Sequence, residues 1–176
     1  MMVQTLPGIA ITYQGEELGM ENVNLTWAET VDPPACNGAI EGYHERSRDP
    51  ARTPFPWDDS RNAGFTTGNK TWLPVGNNYI NVNVKAQEAA SNSHLKIYKS
   101  LVMLRKHAVL REGTYLGSLS GNVFVYKREV ANSSVAVILL NFGDSETTVN
   151  VKTLFATVPN QMKVHTSSLD SGILAR

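Results

Sequence analysis

The chain has 176 residues, 41% of them hydrophobic and 18% charged, and its 16 basic and 16 acidic side chains leave a formal net charge of +0. That length allows one sizeable core or two small ones, and the composition is that of an ordinary globular chain. No run of Lys or Arg supplies the footprint that nucleic acid or an anionic membrane needs, and no apolar stretch approaches the roughly 20 residues of a spanning helix.

The opening residues Met1 to Pro7 lack the charged start and long apolar run of a signal peptide. They run straight into Gly8-Ile9-Ala10-Ile11-Thr12-Tyr13, a short β-branched run that predicts a strand buried on both faces, as in a parallel sheet. The start therefore reads as the interior of a longer protein. From Glu21 to about Asn83 periodicity fails and Asn, Pro, Gly, Asp and Thr dominate. Loops this long are uncommon unless they serve a site, so the segment is either disordered or a functional insertion. Its aromatics Trp27, Tyr43, Phe55, Trp57, Phe65 and Trp72 argue against disorder.

A helix is expected from about Val84 to His107, with Ala90, Leu95, Ile97, Tyr98, Leu101, Val102 and Leu104 in its apolar stripe. Lys96, Lys99, Arg105, Lys106 and His107 crowd its C-terminal end, where the helix dipole favours cations. After Gly113 the period becomes two. Asn122 to Arg128, Ser134 to Phe142 and Thr147 to Lys152 are predicted strands joined by turns at 120–122, 131–133 and 143–145, which describes an antiparallel sheet or sandwich. The boundary between the two parts is placed near Leu110 to Gly113.

A strand, a long polar-aromatic loop and a helix form one βα unit, and in a parallel α/β barrel functional groups sit on the loops beyond the strand ends. Glu16 and Glu17 lie just past the first strand. They either brace a short turn or contribute to a site, and as adjacent residues they do not meet the roughly 5–9 Å carboxylate separation that glycoside hydrolysis requires. Arg48 and Arg52 flank Asp49 in a proline-rich loop, a fork suited to carboxylates or vicinal hydroxyls, or else a salt-bridged brace. Phe55, Trp57 and Phe65 are either a sugar-stacking platform or the core of that loop. His44, His94, His107 and His165 are scattered, and no metal spacing, P-loop, dinucleotide fingerprint or nucleophile elbow is present, so no metal or cofactor is expected. Cys36 is a lone cysteine, either free or paired outside this segment. Three Asn-x-Ser/Thr sequons, at Asn24, Asn69 and Asn132, lean toward glycosylation and a secretory route.

Two stretches carry a resemblance. Thr5 to Met20, with Tyr13-Gln14-Gly15-Glu16-Glu17-Leu18-Gly19-Met20, is similar to the eighth barrel strand and following turn of the α-glucosidases (maltases) in glycoside hydrolase family thirteen. Arg48-Asp49-Pro50-Ala51-Arg52-Thr53-Pro54-Phe55-Pro56-Trp57-Asp58, then Asn62-Ala63-Gly64-Phe65, resembles their substrate loop, and Leu101 to Lys106 the end of their eighth helix. The Val31-Asp32-Pro33-Pro34-Ala35-Cys36-Asn37 insert looks most like the secreted, insect-type maltases.

The resemblance implies that residues 1–111 are the C-terminal end of a (β/α)8 barrel and that 112–176 are an antiparallel β domain, truncated before its last strand and so left with an open edge. It implies a retaining α-glucosidase acting on maltose, sucrose or short α-glucans, whose two Asp and one Glu come from barrel strands four, five and seven. None of those catalytic residues is expected here, so the segment should be inactive without the rest of the barrel. Arg52 matches the arginine that binds the terminal glucose, while Glu16 and Asp49 match supporting positions. The expected location is secreted or extracellular, with a membrane anchor left open. The alternative is a non-catalytic, glycosidase-like glycoprotein acting as a transporter subunit or cell-surface binding protein. The β domain as a sugar-binding module is weakened by its few exposed aromatics.

Overall fold

The computed structural model describes residues 1–172. In chain order the helices are α1 (Met2–Thr5), α2 (Pro33–Cys36), α3 (Tyr43–Arg46), α4 (Val84–Ala89), α5 (His94–Arg105), α6 (Ala108–Arg111) and α7 (Val151–Leu154), and the strands are β1 (Thr114–Ser120), β2 (Val123–Glu129) and β3 (Val135–Asn141). Two units are formed, one from Met1–Ile11 with Ile97–Arg176 and one from Thr12–Lys96.

The first unit is built around β2, the middle strand of an antiparallel sheet ordered β1-β2-β3. Its alternation of valines with aromatic residues lets it bury both faces. Val123 and Val125 pack with Phe155 and Val158 on one side. On the other, Tyr126 packs with Val109 and Leu110 of α6 and with Ile138, its partner across the β2–β3 ladder. Arg128 is buried, and among the described residues no carboxylate pairs with it. Its guanidinium donates instead to the carbonyls of Gly113 (2.9 and 3.1 Å) and Thr5 (3.1 Å). Burial, and then the nearby Arg105, pull the Arg128 pKa below the usual guanidinium value. Arg105 donates to the carbonyls of Gln4 (2.7 Å), Leu6 and Gly8, and Thr5 Oγ1 meets the Tyr126 hydroxyl at 2.5 Å. These arginines and the tyrosine fasten the N-terminal segment to the sheet unit.

Strands 122–128 and 134–142 form as expected, as β2 and β3, while β1 was not separately anticipated. Three expectations change. The predicted strand 8–13 does not form: the segment has no regular structure, Gly8 holds a φ of +102°, and Ile9 and Ile11 are 92% and 78% exposed. A parallel strand is held by neighbours on its edges, and among the described residues no strand pairs with this one. The predicted strand 147–152 does not form either. The Asn150 side chain caps α7 by accepting from Lys152 N at 3.1 Å, and Val149 and Val151 reach the Phe155 cluster without a ladder. The single helix from 84 to 107 is two helices, because Ala90 turns extended and the Ser93 hydroxyl starts α5 afresh, donating to Gln87 O (2.8 Å) and accepting from Lys96 N (3.2 Å). The open edge expected from a stop at Arg176 concerns residues outside those described.

The second unit has few regular elements, so buried polar side chains hold its backbone. Gln87 donates to Leu18 O (2.7 Å) and accepts from Leu95 N (2.8 Å), tying the turn at 14–19 to the start of α5. That turn needs Gly15, whose φ is +93° and whose absent Cβ would lie 2.6 Å from Met20 Sδ. Buried Asn83 caps α4 through Ala86 N (2.7 Å) while donating to Tyr79 O (2.7 Å) and Ile80 O (3.1 Å). The irregular stretch is thus an ordered insertion, as its aromatics suggested.

Candidate active-site loop

The site lies within the second unit and is organised by two buried carboxylates. Pro50 and Pro54 restrict the loop, and Asp49 turns back to accept from the amides of Val31 and Asp32, both at 2.8 Å. That bracket presents the Asp32 side chain to both arginines. Asp32 accepts from the Arg48 backbone amide (2.8 Å), Arg48 Nε (2.9 Å) and an Arg48 terminal nitrogen (2.5 Å), a two-pronged charge-assisted grip. Those Arg48 hydrogen bonds hold the Asp32 carboxyl at about 2, well below its usual value, and Asp32 in turn raises the Arg48 pKa.

Arg52 is treated differently. Its backbone amide donates to Asp49 O at 2.8 Å, but its guanidinium stands 3.9 Å from Asp32, close enough for charge attraction and too far for a hydrogen bond. Its side chain is 39% exposed, and its guanidinium makes no hydrogen bond among the described residues. Arg52 lines an open cleft of about 510 Å³ together with Tyr13, Gln14, Thr53, Phe65 and Trp72. That falls within the roughly 300–1,000 Å³ of small-molecule sites. Gln14 donates to Thr53 O at 3.3 Å, and no Asp or Glu lines the cleft. The arrangement offers donors for hydroxyls and apolar ring faces, and its lining includes no carboxylate.

The other predicted residues are placed as follows. Glu16 is exposed and makes no side-chain hydrogen bond among the described residues, whereas Glu17 closes the turn by accepting from Gly15 N at 2.8 Å. Phe55 and Trp57 pack edge to face on each other with centroids 4.9 Å apart. Phe65 makes no ring contact with that pair among the described residues and lines the cleft with Trp72. Asn24, Asn69 and Asn132 are all exposed, and Asn132 holds a left-handed φ of 55° in the β2–β3 turn. Cys36 forms no disulfide among the described residues. Among the described residues no cluster of three or more His, Cys, Asp or Glu side chains is placed to hold a metal ion, and no helix is long and apolar enough to cross a membrane. Asp32 was missed from sequence. Its only local signal is a helix start before Pro33-Pro34, which says nothing of arginines sixteen and twenty residues onward.

Residues 1–113 match the family described as alpha amylase, catalytic domain. The chain is 48% identical over 167 residues to the salivary alpha-glucosidase of Aedes aegypti, covering 94% of this chain and 29% of the relative. It is 44% identical over 172 residues to maltase A1 of Drosophila melanogaster, covering 97% and 30% respectively. Among solved structures, the trehalulose synthase MutB of Pseudomonas mesoacidophila MX-45 aligns with a TM-score of 0.72 and 31% identity, over 80% of this chain and 28% of that one. The chain thus spans less than a third of the length of these relatives, and its matched region carries both the Arg48–Arg52 loop and the turn at Gln14. The chain therefore belongs to the alpha-amylase catalytic-domain family, glycoside hydrolase family thirteen.

Proposed function

We infer that this chain is the C-terminal part of a retaining α-glucosidase that releases glucose from non-reducing ends of maltose, sucrose or short α-glucans. The observation that carries the reading is Arg52, a guanidinium drawn toward buried Asp32 yet without a hydrogen bond among the described residues, in the wall of an open cleft. In this reading Arg52 grips hydroxyls of the terminal glucose, Asp49 supports it through Asp32, and Glu16 supports the rim. Residues 1–111 are the last βα unit of a (β/α)8 barrel and 112–176 the C-terminal β domain. Ile9 and Ile11 are then covered by neighbouring barrel strands, and the nucleophile, acid and third carboxylate come from strands outside this segment.

The names of the two insect relatives support hydrolysis of α-glucosides, and the word salivary in one of them supports secretion. Exposed Asn24, Asn69 and Asn132 suit a glycosylated, extracellular protein. A non-catalytic transporter or binding partner is the weaker reading, since the relatives at 48% and 44% identity are named for glucosidase and maltase activity.

The test is maltose hydrolysis by the whole protein containing this segment, with and without Arg52→Ala. Losing a charge-assisted hydrogen bond to the bound sugar lowers kcat/KM about tenfold to a hundredfold. The melting temperature is expected to hold, because the Asp32–Arg48 grip remains. An unchanged kcat/KM removes Arg52 from binding, and a whole protein that releases no glucose overturns the enzymatic reading.

A further inference from the structure

Resting on that reading, we propose that Asp32 is a positioning residue for substrate binding: its buried carboxylate, supplied by the insert at 31–37, restrains the guanidinium of Arg52 where that group meets the terminal glucose. Asp32 itself touches no sugar in this role.

Asp32 stands at the start of α2, where an aspartate ordinarily accepts from the amides of the second and third helical residues. Here the first two helical residues are Pro33 and Pro34, which carry no N–H, and the Asp32 side chain makes no capping hydrogen bond. The carboxylate is thereby left to groups far along the chain. Its Oδ2 accepts from the amide and Nε of Arg48. Its Oδ1 lies between two guanidiniums, 2.5 Å from Arg48 Nη2 and 3.9 Å from Arg52 Nη1.

The clasp is reciprocal. While Asp32 takes Arg48, the Asp49 carboxylate accepts from the amides of Val31 and Asp32, and the Asp49 carbonyl accepts from the amide of Arg52. Both carboxylates are buried, and every group in the clasp belongs to the unit formed by Thr12–Lys96. Bracing the loop requires Arg48 alone. The second guanidinium beside the same buried oxygen has a different consequence. A free arginine side chain loses much rotamer freedom when a ligand fixes it, and a carboxylate that restrains Arg52 beforehand removes part of that loss from sugar binding. The restraint is the same before and during bond breaking, so it enters KM rather than kcat.

The experiment follows maltose hydrolysis by the whole protein, well below its melting temperature, through a double-mutant cycle of Asp32→Asn and Arg52→Ala. Asp32→Asn is expected to raise KM about threefold with kcat held, and to change kcat/KM by less than about twofold once Arg52 is already alanine. An unchanged KM, a fall confined to kcat, or an effect undiminished in the Arg52→Ala background overturns the role and leaves Asp32 a brace. Should Asp32→Asn fail to fold, Arg48→Gln, at a side chain 56% exposed, reads the same coupling. It leaves the carboxylate to Arg52 alone and draws that guanidinium off the sugar, so KM rises and the rise disappears in the Arg52→Ala background; an additive effect overturns the role. Should the whole protein release no glucose, the enzymatic reading falls separately, and the same cycle is run on maltose affinity by calorimetric titration. Coupling between Asp32 and Arg52 in the dissociation constant keeps the positioning role, and uncoupled effects or absent binding overturn it.

Discussion

At Asp32 one carboxylate organises two arginines that do different work. Arg48 spends its donors on it, while Arg52 feels only its field at 3.9 Å. Because the Arg48 hydrogen bonds hold Asp32 near 2, against an ordinary value of 3.8, the folded chain binds fewer protons than the unfolded chain between those values. The stabilisation is therefore complete above about pH 4 and is lost as pH falls through about 2. Asp32→Asn, which keeps the shape and removes the charge, is expected to melt a few degrees below the parent at pH 7. That gap should close progressively between pH 4 and 2 in parallel thermal melts. A gap that stays constant across the range would mean that the ionised clamp contributes nothing.

At the level of elements, the break between α4 and α5 rests on one hydroxyl. Ser93 is buried, donates to Gln87 O and caps Lys96 N, and Gln87 in turn reaches Leu18 and Leu95. Ser93→Ala removes a helix cap, and urea unfolding should show a loss of about 1 kcal/mol; a loss indistinguishable from zero would show that the cap is dispensable. This junction also marks how far the sequence could be read. The apolar stripe through Leu95, Leu101 and Leu104 was legible and the helix exists. The interruption at Ser91-Asn92-Ser93 was not, because its cause is a side chain folding back on the backbone, a local competition that apolar periodicity does not register. Thr147 to Lys152 misled for a similar reason, its valines reaching the core through a capped turn. Gly8 to Tyr13 misled oppositely, since its composition describes a strand with partners on both edges and no described strand pairs with it. In the site, Arg52 was singled out by the family resemblance of its loop and not by spacing, which left a salt-bridged brace open, whereas the approach of Asp32 to both arginines depends on chain reversals that spacing does not encode.

For the molecule as a whole, the decisive features are what the cleft lacks and what the surface leaves open. Glycoside hydrolysis with retention needs two carboxyl groups roughly 5–5.5 Å apart across a sugar ring, and no Asp or Glu lines the cleft beside Arg52. The three-stranded sheet has β1 and β3 at its edges, with Leu116, Leu119 and Leu139 exposed along them, and Ile9 and Ile11 stand in solvent on unpaired backbone. Unpaired strands with apolar side chains are templates for association. The 176-residue chain prepared by itself is therefore expected to release no glucose from maltose above the uncatalysed background and to form concentration-dependent oligomers in light scattering. Ile9→Lys with Ile11→Lys should suppress that association, because the charges oppose strand pairing where β-branched residues favour it. Glucose release by the chain alone would require a carboxylate pair that the cleft does not contain, and a chain that stayed monomeric at high concentration would show that the exposed isoleucines are not sites of association.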